Sequence, residues 1–305
     1  MVHFPQKPRI IITGGAGFIG SNLAERLLLE HYQIEIIDDF STGKIENIPS
    51  GVRYIKKNIN SIGICNLRQW DIVVHLAAIP RVAKSIEEPL KTNRANIDGT
   101  LNMLELSRRA GIKQFIYASS SSVYGMPVSL PMREDMPCKP KSPYGLQKFA
   151  AEEYCRLYWE IHKFSTVALR FFNVYGKRMD MDSDYSTVIG KFIVQKKKGK
   201  PFTIYGDGTQ TRDFTNVEDA VRAIMLCIGN QQVSGEVINI GAGRNISVNQ
   251  IAELIDRNWY KEFIVPNPRP NEPHDTLADI SKAEKLLDWK PVFELNEEAI
   301  KEITI

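Results

Sequence analysis

The stretch Ile10-Ile11-Ile12-Thr13-Gly14-Gly15-Ala16-Gly17-Phe18-Ile19-Gly20 constrains this chain more than any other. Its apolar run reads as a strand buried on both faces. Ser21-Asn22-Leu23-Ala24-Glu25-Arg26-Leu27-Leu28 then follows with helical apolar spacing. Strand, glycine turn and helix N-terminus in that order make an anion site, with backbone N–H groups and the positive end of the helix dipole aimed at a phosphate. The glycines fit two registers, Gly15-x-Gly17-x-x-Gly20 and Gly14-x-x-Gly17-x-x-Gly20, and either lets the backbone approach a pyrophosphate. A second apolar strand, Ile34-Glu35-Ile36-Ile37, ends in Asp38, 18 residues beyond Gly20. A carboxylate there accepts both ribose hydroxyls of a dinucleotide and repels a 2′-phosphate, so the expected cofactor is NAD rather than NADP.

Strands and helices go on alternating after this unit. The loop Phe40-Ser41-Thr42-Gly43-Lys44 follows Asp38-Asp39 and is placed to cover an adenosine. Val52-Arg53-Tyr54-Ile55 reads as a third strand ending near Asn58-Ile59. Asp71-Ile72-Val73-Val74-His75-Leu76-Ala77-Ala78 reads as another buried strand, its small residues leaving room for a cofactor; His75 in that run reads as a satisfied core histidine. Asn93 to Ala110 has helical spacing and Gly111 as its cap. Lys113 to Ala118 is a strand opening onto Ser119-Ser120-Ser121-Ser122-Val123-Tyr124-Gly125. Ser142-Pro143 then starts a helix that runs to about His162, with serine as N-cap and proline at the first helical position. The expected fold is α/β, a doubly wound parallel sheet of the Rossmann type. Past Phe172 the rhythm changes. We therefore expect an NAD-binding domain over residues 1–172, rejoined by 214–240, and a smaller non-contiguous α/β domain from 173–213 and 241–305.

Composition narrows the function by exclusion. The 305 residues are 43% hydrophobic and 25% charged, as in a folded globular protein. A net charge of +3 is too mild to argue for nucleic acid. The basic cluster Lys196-Lys197-Lys198-Gly199-Lys200 reads as a solvated helix end. The four cysteines form no C-x-x-C pair and read as reduced thiols, and the five histidines show no ligand spacing, so no metal is expected. The first residues lack the apolar core of a signal peptide, and no apolar run is long enough to span a bilayer. A soluble, cytoplasmic protein without a membrane partner is the expectation.

Tyr144 and Lys148 are four apart and so share one helix face, just after the strand that ends in four serines. A lysine ammonium one turn away favours the tyrosine's phenolate without fully ionising it at neutral pH. The positive nicotinamide ring and a serine hydroxyl would supply the rest. Tyr144 is thereby expected to take a proton from a substrate hydroxyl whose carbon gives up hydride.

Thr13-Gly14-Gly15-Ala16-Gly17-Phe18-Ile19-Gly20, the Ser-rich Val123-Tyr124-Gly125 segment and Tyr144-x-x-x-Lys148 resemble the extended short-chain dehydrogenase/reductases. Narrower blocks are Arg170-Phe171-Phe172-Asn173-Val174-Tyr175-Gly176, Ile204 to Phe214, and Arg269-Pro270-Asn271-Glu272-Pro273 before Ala278-Asp279; these resemble UDP-hexose 4-epimerases. The resemblance implies Ser120, Tyr144 and Lys148 as the catalytic group. Around NAD it implies Gly14, Gly17, Phe18, Ile19, Gly20, Asp38, Asp39, Ser41, Thr42, Gly43, Asn58, Ile59, Leu76, Ala77, Ala78, Asn96 and Phe172, with Tyr144 and Lys148, Asn96 also positioning the catalytic segment. Around a UDP-sugar it implies Ser120, Ser121, Tyr144, Asn173, Val188, Tyr205, Arg212, Arg269 and Thr276. Val188 and Phe192 read equally well as plain core; the lesser alternative for Arg212 is a surface ion pair with Asp213.

Relatives that expel water or carboxylate carry an acid just before the Val-Tyr-Gly, where this chain has Ser121 and Ser122. That favours plain oxidation of the sugar's C4 to a ketone, rotation of the hexose with UDP anchored, and reduction on the opposite face. Thr276, where a tyrosine accompanies restriction to plain hexoses, leaves room for an acetamide, so UDP-GlcNAc and UDP-GalNAc are expected substrates beside UDP-glucose and UDP-galactose. The alternatives are a UDP-glucuronate 4-epimerase, another nucleotide-sugar reductase or dehydratase, or a non-catalytic NAD-sensing scaffold. A homodimer pairing the 93–110 and 144–162 helices is implied. Asn58 in place of an aspartate, Pro80-Arg81, and Lys177 in place of a proline depart from the family pattern.

Overall fold

The computed structural model describes residues 6–181, 186–259, 263–265 and 272–304. Its strands in chain order are β1 (Ile10–Thr13), β2 (Ile34–Asp38), β3 (Arg53–Lys56), β4 (Ile72–His75), β5 (Gln114–Ser120), β6 (Ser165–Phe171), β7 (Asn173–Tyr175), β8 (Thr203–Tyr205), β9 (Thr211–Asn216), β10 (Glu236–Ile240), β11 (Asn245–Ser247) and β12 (Phe263–Val265). Its helices are α1 (Phe18–Leu29), α2 (Val82–Glu87), α3 (Pro89–Asn93), α4 (Gly99–Ala110), α5 (Pro143–His162), α6 (Val188–Lys197), α7 (Val217–Cys227), α8 (Val248–Ile255), α9 (Ser281–Leu287) and α10 (Glu297–Thr304).

Seven strands pair in parallel in the order β3-β2-β1-β4-β5-β6-β10. The order reverses between β1 and β4, which opens a crevice beyond their C-terminal ends, where open α/β sheets bind ligands. The isoleucine run of β1 explains why the sheet is wound on both faces. Ile10 and Ile12 point to one side, into the cluster of Leu23, Leu27, Val221 and Ile224 from α1 and α7; Ile11 points to the other, towards Met103 and Leu104 of α4 and Ala151 of α5. His75 is fully buried on β4, its ring nitrogens shared with the Thr13 (2.7 Å) and Thr100 (3.1 Å) hydroxyls. Burial holds its pKa down at about 3, so it is neutral there.

The second lobe is more mixed than its sequence boundaries suggest. β11, β9 and β7 form a three-stranded sheet, so the chain rejoins the large sheet's layer at α7 rather than at Phe214. Farther on, Ala283, Leu287 and Trp289 return to the core under the large sheet, and the Trp289 indole N–H donates to Asp219 O (3.0 Å). The expected helix from Asn93 starts earlier, at Pro89, and carries a π-helical turn over Arg94–Asp98 before α4. Among the described residues no helix is long and apolar enough to cross a membrane, and no three metal-ligating side chains cluster.

Candidate active site

The glycine turn is built so that side chains cannot enter it. Gly14 has φ +71°, and a Cβ there would lie 2.7 Å from Ala77 N; at Gly20 a Cβ would lie 2.2 Å from Gly14 O. These contacts draw the turn against β4 and let α1 pack on β1, whereas a Cβ at Gly17 would meet only Gly14 O, at 3.2 Å. Gly17 is the N-cap of α1 and brings no side-chain cap, so the first-turn N–H groups of Phe18, Ile19 and Gly20 are left to a ligand.

Asp38 ends β2 nearly buried, its Oδ2 accepting Ala16 N–H (2.9 Å) and its Oδ1 Phe40 N–H (2.8 Å); burial pushes its pKa up against those bonds. Gly43 lies over it, where a Cβ would approach Asp38 Oδ1 to 3.1 Å. Asp39 accepts Ser41 N–H (2.9 Å) and the Asn58 amide (2.6 Å), so Asn58 pins the loop that carries Ser41 and Thr42. Ile59 is buried beneath Gly99, and Leu76, Ala77 and Ala78 line the half-open end of β4. Phe172 is buried with Val123, Tyr124, Met132 and Ala278. A backbone cradle closed to Cβ atoms, a helix N-terminus and one carboxylate at the ribose position fit a dinucleotide without a 2′-phosphate.

Across the crevice, β5 delivers Ser120 and α5 delivers Tyr144 and Lys148. Ser120 Oγ accepts Ser122 N–H (3.2 Å) and meets Ser122 Oγ (3.1 Å), fixing the turn through Ser121. Ser142 caps α5 by accepting Gly145 N–H (3.1 Å), and Tyr144 N–H donates to Ser85 Oγ (3.0 Å). Lys148 is 4% exposed; its Nζ donates to Ala118 O (2.7 Å) and stands 6.0 Å from the Tyr144 ring centre.

The electrostatics differ from the expectation drawn from spacing. Burial pulls Lys148 down to about 7, and burial pushes Tyr144 up, opposed by the Ser120 side chain and the Arg81 guanidinium. Four-residue spacing puts the lysine beside the tyrosine, but it carries no information on depth, and depth is what lowers the lysine's pKa. Asn96 sits in the π turn and spends its whole amide within the protein: Oδ1 accepts Ile79 N–H (2.8 Å), and Nδ2 donates to Ile79 O (3.0 Å) and to Gln147 Oε1 (2.8 Å). It therefore ties the loop after β4 to the residue next to Lys148. Gln147 and Ser85 carry no motif and were not singled out by the sequence.

At the sugar end, Asn173 opens β7 and its Nδ2 donates to Asp213 O (3.3 Å). Arg212 pairs with Glu272 (3.2 Å) and donates to Thr211 O and His274 O; the alternative ion pair with Asp213 is not formed, because Asp213 points inward. Asp213 is fully buried and accepts the N–H groups of Ala242 (2.6 Å), Gly243 (3.0 Å) and Ala278 (3.1 Å). Thr276 is 6% exposed, its Oγ1 accepting Asp213 N–H (3.3 Å). Tyr205 ends β8, and Val188, the first residue of α6, packs half-buried on the small lobe's core around Phe192. Arg269 lies outside the described residues.

Comparison with known proteins agrees with this geometry. The NAD dependent epimerase/dehydratase family model matches residues 10–241. The UDP-glucose 4-epimerase of Mycolicibacterium smegmatis is 32% identical over 308 residues, 97% of each chain. A UDP-N-acetylglucosamine 4-epimerase from Methanobrevibacter ruminantium, solved with UDP-N-acetylmuramic acid, superposes with a TM-score of 0.90 at 35% identity, over 98% of this chain and 97% of its own. A UDP-glucuronic acid 4-epimerase from Bacillus cereus, solved with UDP-glucuronic acid and NAD, gives 0.88 at 36% identity, over 97% and 99%. The chain belongs to the NAD-dependent epimerase/dehydratase family. Within it, the chain is an isomerase of the 4-epimerase kind, with NAD as its cofactor.

Proposed function

We propose that this 4-epimerase interconverts gluco and galacto configurations at C4 of UDP-hexoses through a 4-keto intermediate, and accepts UDP-GlcNAc and UDP-GalNAc as well as UDP-glucose and UDP-galactose. The observation that carries the acetylated substrates is Thr276: a small residue, turned into the protein with its hydroxyl committed to Asp213 N–H, rather than a ring filling the sugar end.

Bound NAD supplies the hydride acceptor and donor for C4. Gly14, Gly17, Gly20 and the first turn of α1 would hold its pyrophosphate, and Asp38 its adenosine ribose. Tyr144 takes the proton from the C4 hydroxyl during oxidation and returns one to the same oxygen on reduction, so atoms and electrons balance within one turnover. Ser120 hydrogen-bonds the same oxygen, and Lys148, anchored to Ala118 O, keeps Tyr144 in register. Ser121 and Ser122 put no carboxyl where a departing group would need a proton donor. Asn173, Tyr205, Arg212 and Arg269 are the residues assigned to UDP, the arginines because a guanidinium fork matches phosphate oxygens, and Val188 is assigned to the substrate without a named group. A homodimer through α4 and α5 belongs to the same reading; Leu146 and Ile161 of α5 are exposed apolar residues on that helix.

The test is kcat/KM on both sugar pairs. Turnover of both without net change in reduced-nicotinamide absorbance is expected. Absence of the acetylated reaction removes the substrate assignment, and stoichiometric consumption of reduced cofactor removes the epimerase mechanism. Thr276→Tyr should depress the acetylated pair about tenfold or more, with the plain pair within about threefold.

A further inference from the structure

A buried ammonium needs something to answer its charge, or burial favours loss of its proton. Lys148 lies 4% exposed on α5, and its one hydrogen bond among the described residues, to Ala118 O (2.7 Å), uses one of three N–H donors. The carboxylate one turn along the same helix is spent elsewhere. Glu152 Oε1 accepts Arg170 Nη2, and its Oε2 accepts Arg170 Nε (3.1 Å) and Ser119 Oγ (2.7 Å). What Lys148 does meet is an aromatic face. Alternation along β5 turns Phe115 and Tyr117 towards α5, and Ile116 and Ala118 to the other side of the sheet. Lys148 Nζ stands over the Tyr117 ring, 4.9 Å from its centre, against 6.0 Å for the Tyr144 ring. Adjacent residues of one strand thus hold the ammonium, Ala118 by its carbonyl and Tyr117 by its ring.

We propose that Tyr117 is a positioning residue of the epimerase: the negative face of its ring, in place of a carboxylate, holds the Lys148 ammonium charged and beside Tyr144. The inference rests on Lys148 acting on Tyr144, as in the proposed function. A cation within about 6 Å of a ring centre is attracted by the ring's quadrupole, and more strongly when both are out of water. The phenol hydroxyl is not the working part, since it is buried and has no hydrogen-bond partner among the described residues. Burial also holds that phenol's pKa well above its ordinary value, so the ring stays neutral. Its plane is fixed from β4. His75 lies beside Tyr117 in the strand register and stacks on it, with ring centres 6.0 Å apart and planes 22° apart, while Thr13 and Thr100 hold both His75 nitrogens. The other titratable groups around Lys148 supply no free negative charge. His75 is neutral, Cys155 is a thiol whose pKa burial pushes up, and Glu152 is neutralised by Arg170.

The measurement is the titration of Lys148, followed by NMR of isotope-labelled lysine side chains in the NAD-loaded protein without substrate, its signal assigned by loss in Lys148→Met. Position 117 carries in turn tyrosine, phenylalanine, and phenylalanine with one, two and three ring fluorines, which drain the π face at nearly constant shape. In Tyr117→Phe the ionisation constant of Lys148 should stay within about threefold of wild type. Across the fluorinated series its midpoint should then fall stepwise, by about one pH unit or tenfold at three fluorines. With substrate, the pH above which kcat declines should move down in the same order, with KM within about twofold. A midpoint that ignores the number of fluorines overturns the proposal, since a residue that only packs gives a flat series. A full shift in Tyr117→Phe alone overturns it too, because it assigns the effect to the hydroxyl. Should the fluorinated chains fail to fold, Tyr117→Phe against Tyr117→Leu supplies the contrast, with the lower midpoint expected in the leucine variant and equal midpoints counting against the proposal. Because the titration needs no sugar, a chain that turns over neither sugar pair refutes the proposed function and leaves the Lys148 series to be read independently.

Discussion

The two ends of the crevice are made differently. The cofactor end is local: Gly14, Gly17 and Gly20 lie within one turn, and Asp38 closes the next strand, bound to N–H groups of Ala16 and Phe40 in adjacent loops. The sugar end is assembled from remote pieces, with Asp213 gathering N–H groups from Ala242, Gly243 and Ala278 and so binding β9 to the loops after β10 and before α9. Each end uses a buried aspartate on backbone donors. One aspartate ends a strand at the position proposed for the cofactor ribose and the other holds the chain together, and only the first sits at a spacing that a motif can record.

The largest expected effect tests the chemistry that lies between them. Tyr144→Phe should lower kcat by about a hundredfold or more while NAD stays bound; unchanged turnover would refute the proton-transfer assignment. Next comes the local end. Gly20→Ala drives a methyl into Gly14 O and should cost about 3 kcal/mol or more, lowering Tm and NAD affinity together. A variant that bound NAD normally would mean the turn has more freedom than its contacts allow. The remote end gives the smallest effect, and it appears as a pH dependence. Burial raises Asp213 to about 6 from 3.8, so the folded state binds its proton more tightly than the unfolded one. Stability contributed by this group is therefore present in full below about 3.8, declines as pH rises towards about 6, and is absent above it. Asp213→Asn should flatten that part of the Tm–pH curve. It should also raise KM for the UDP-sugar more than it affects NAD, which separates the two ends directly.

What the sequence made legible follows the same division. The parallel sheet, the cradle, Asp38 and the Tyr144–Lys148 pair were readable because strand period, glycine spacing and helix period act within a few residues. Asp213 and the Arg212–Glu272 pair were not, because their partners lie tens of residues away and only the folded topology brings them together. The downward shift of Lys148 was also hidden, since spacing sets its direction but packing sets its depth. Arg81 was visible only as a departure from the family pattern; its positive φ was not. The π turn at Arg94–Asp98 left no compositional trace, although it is what aims Asn96.

That Asn96 amide has a further consequence. Its three bonds need a nitrogen that donates twice and an oxygen that accepts once. Aspartate has nearly the same shape but would set oxygen against the Ile79 carbonyl and against Gln147 Oε1. A spontaneous deamidation, a chemical lesion of ageing rather than an inherited substitution, would exchange one atom and free the Arg81 loop from the catalytic helix. Burial at 1% exposure and the fixed π turn keep water and backbone strain away from that reaction, so the clamp protects its own chemistry while it holds the site.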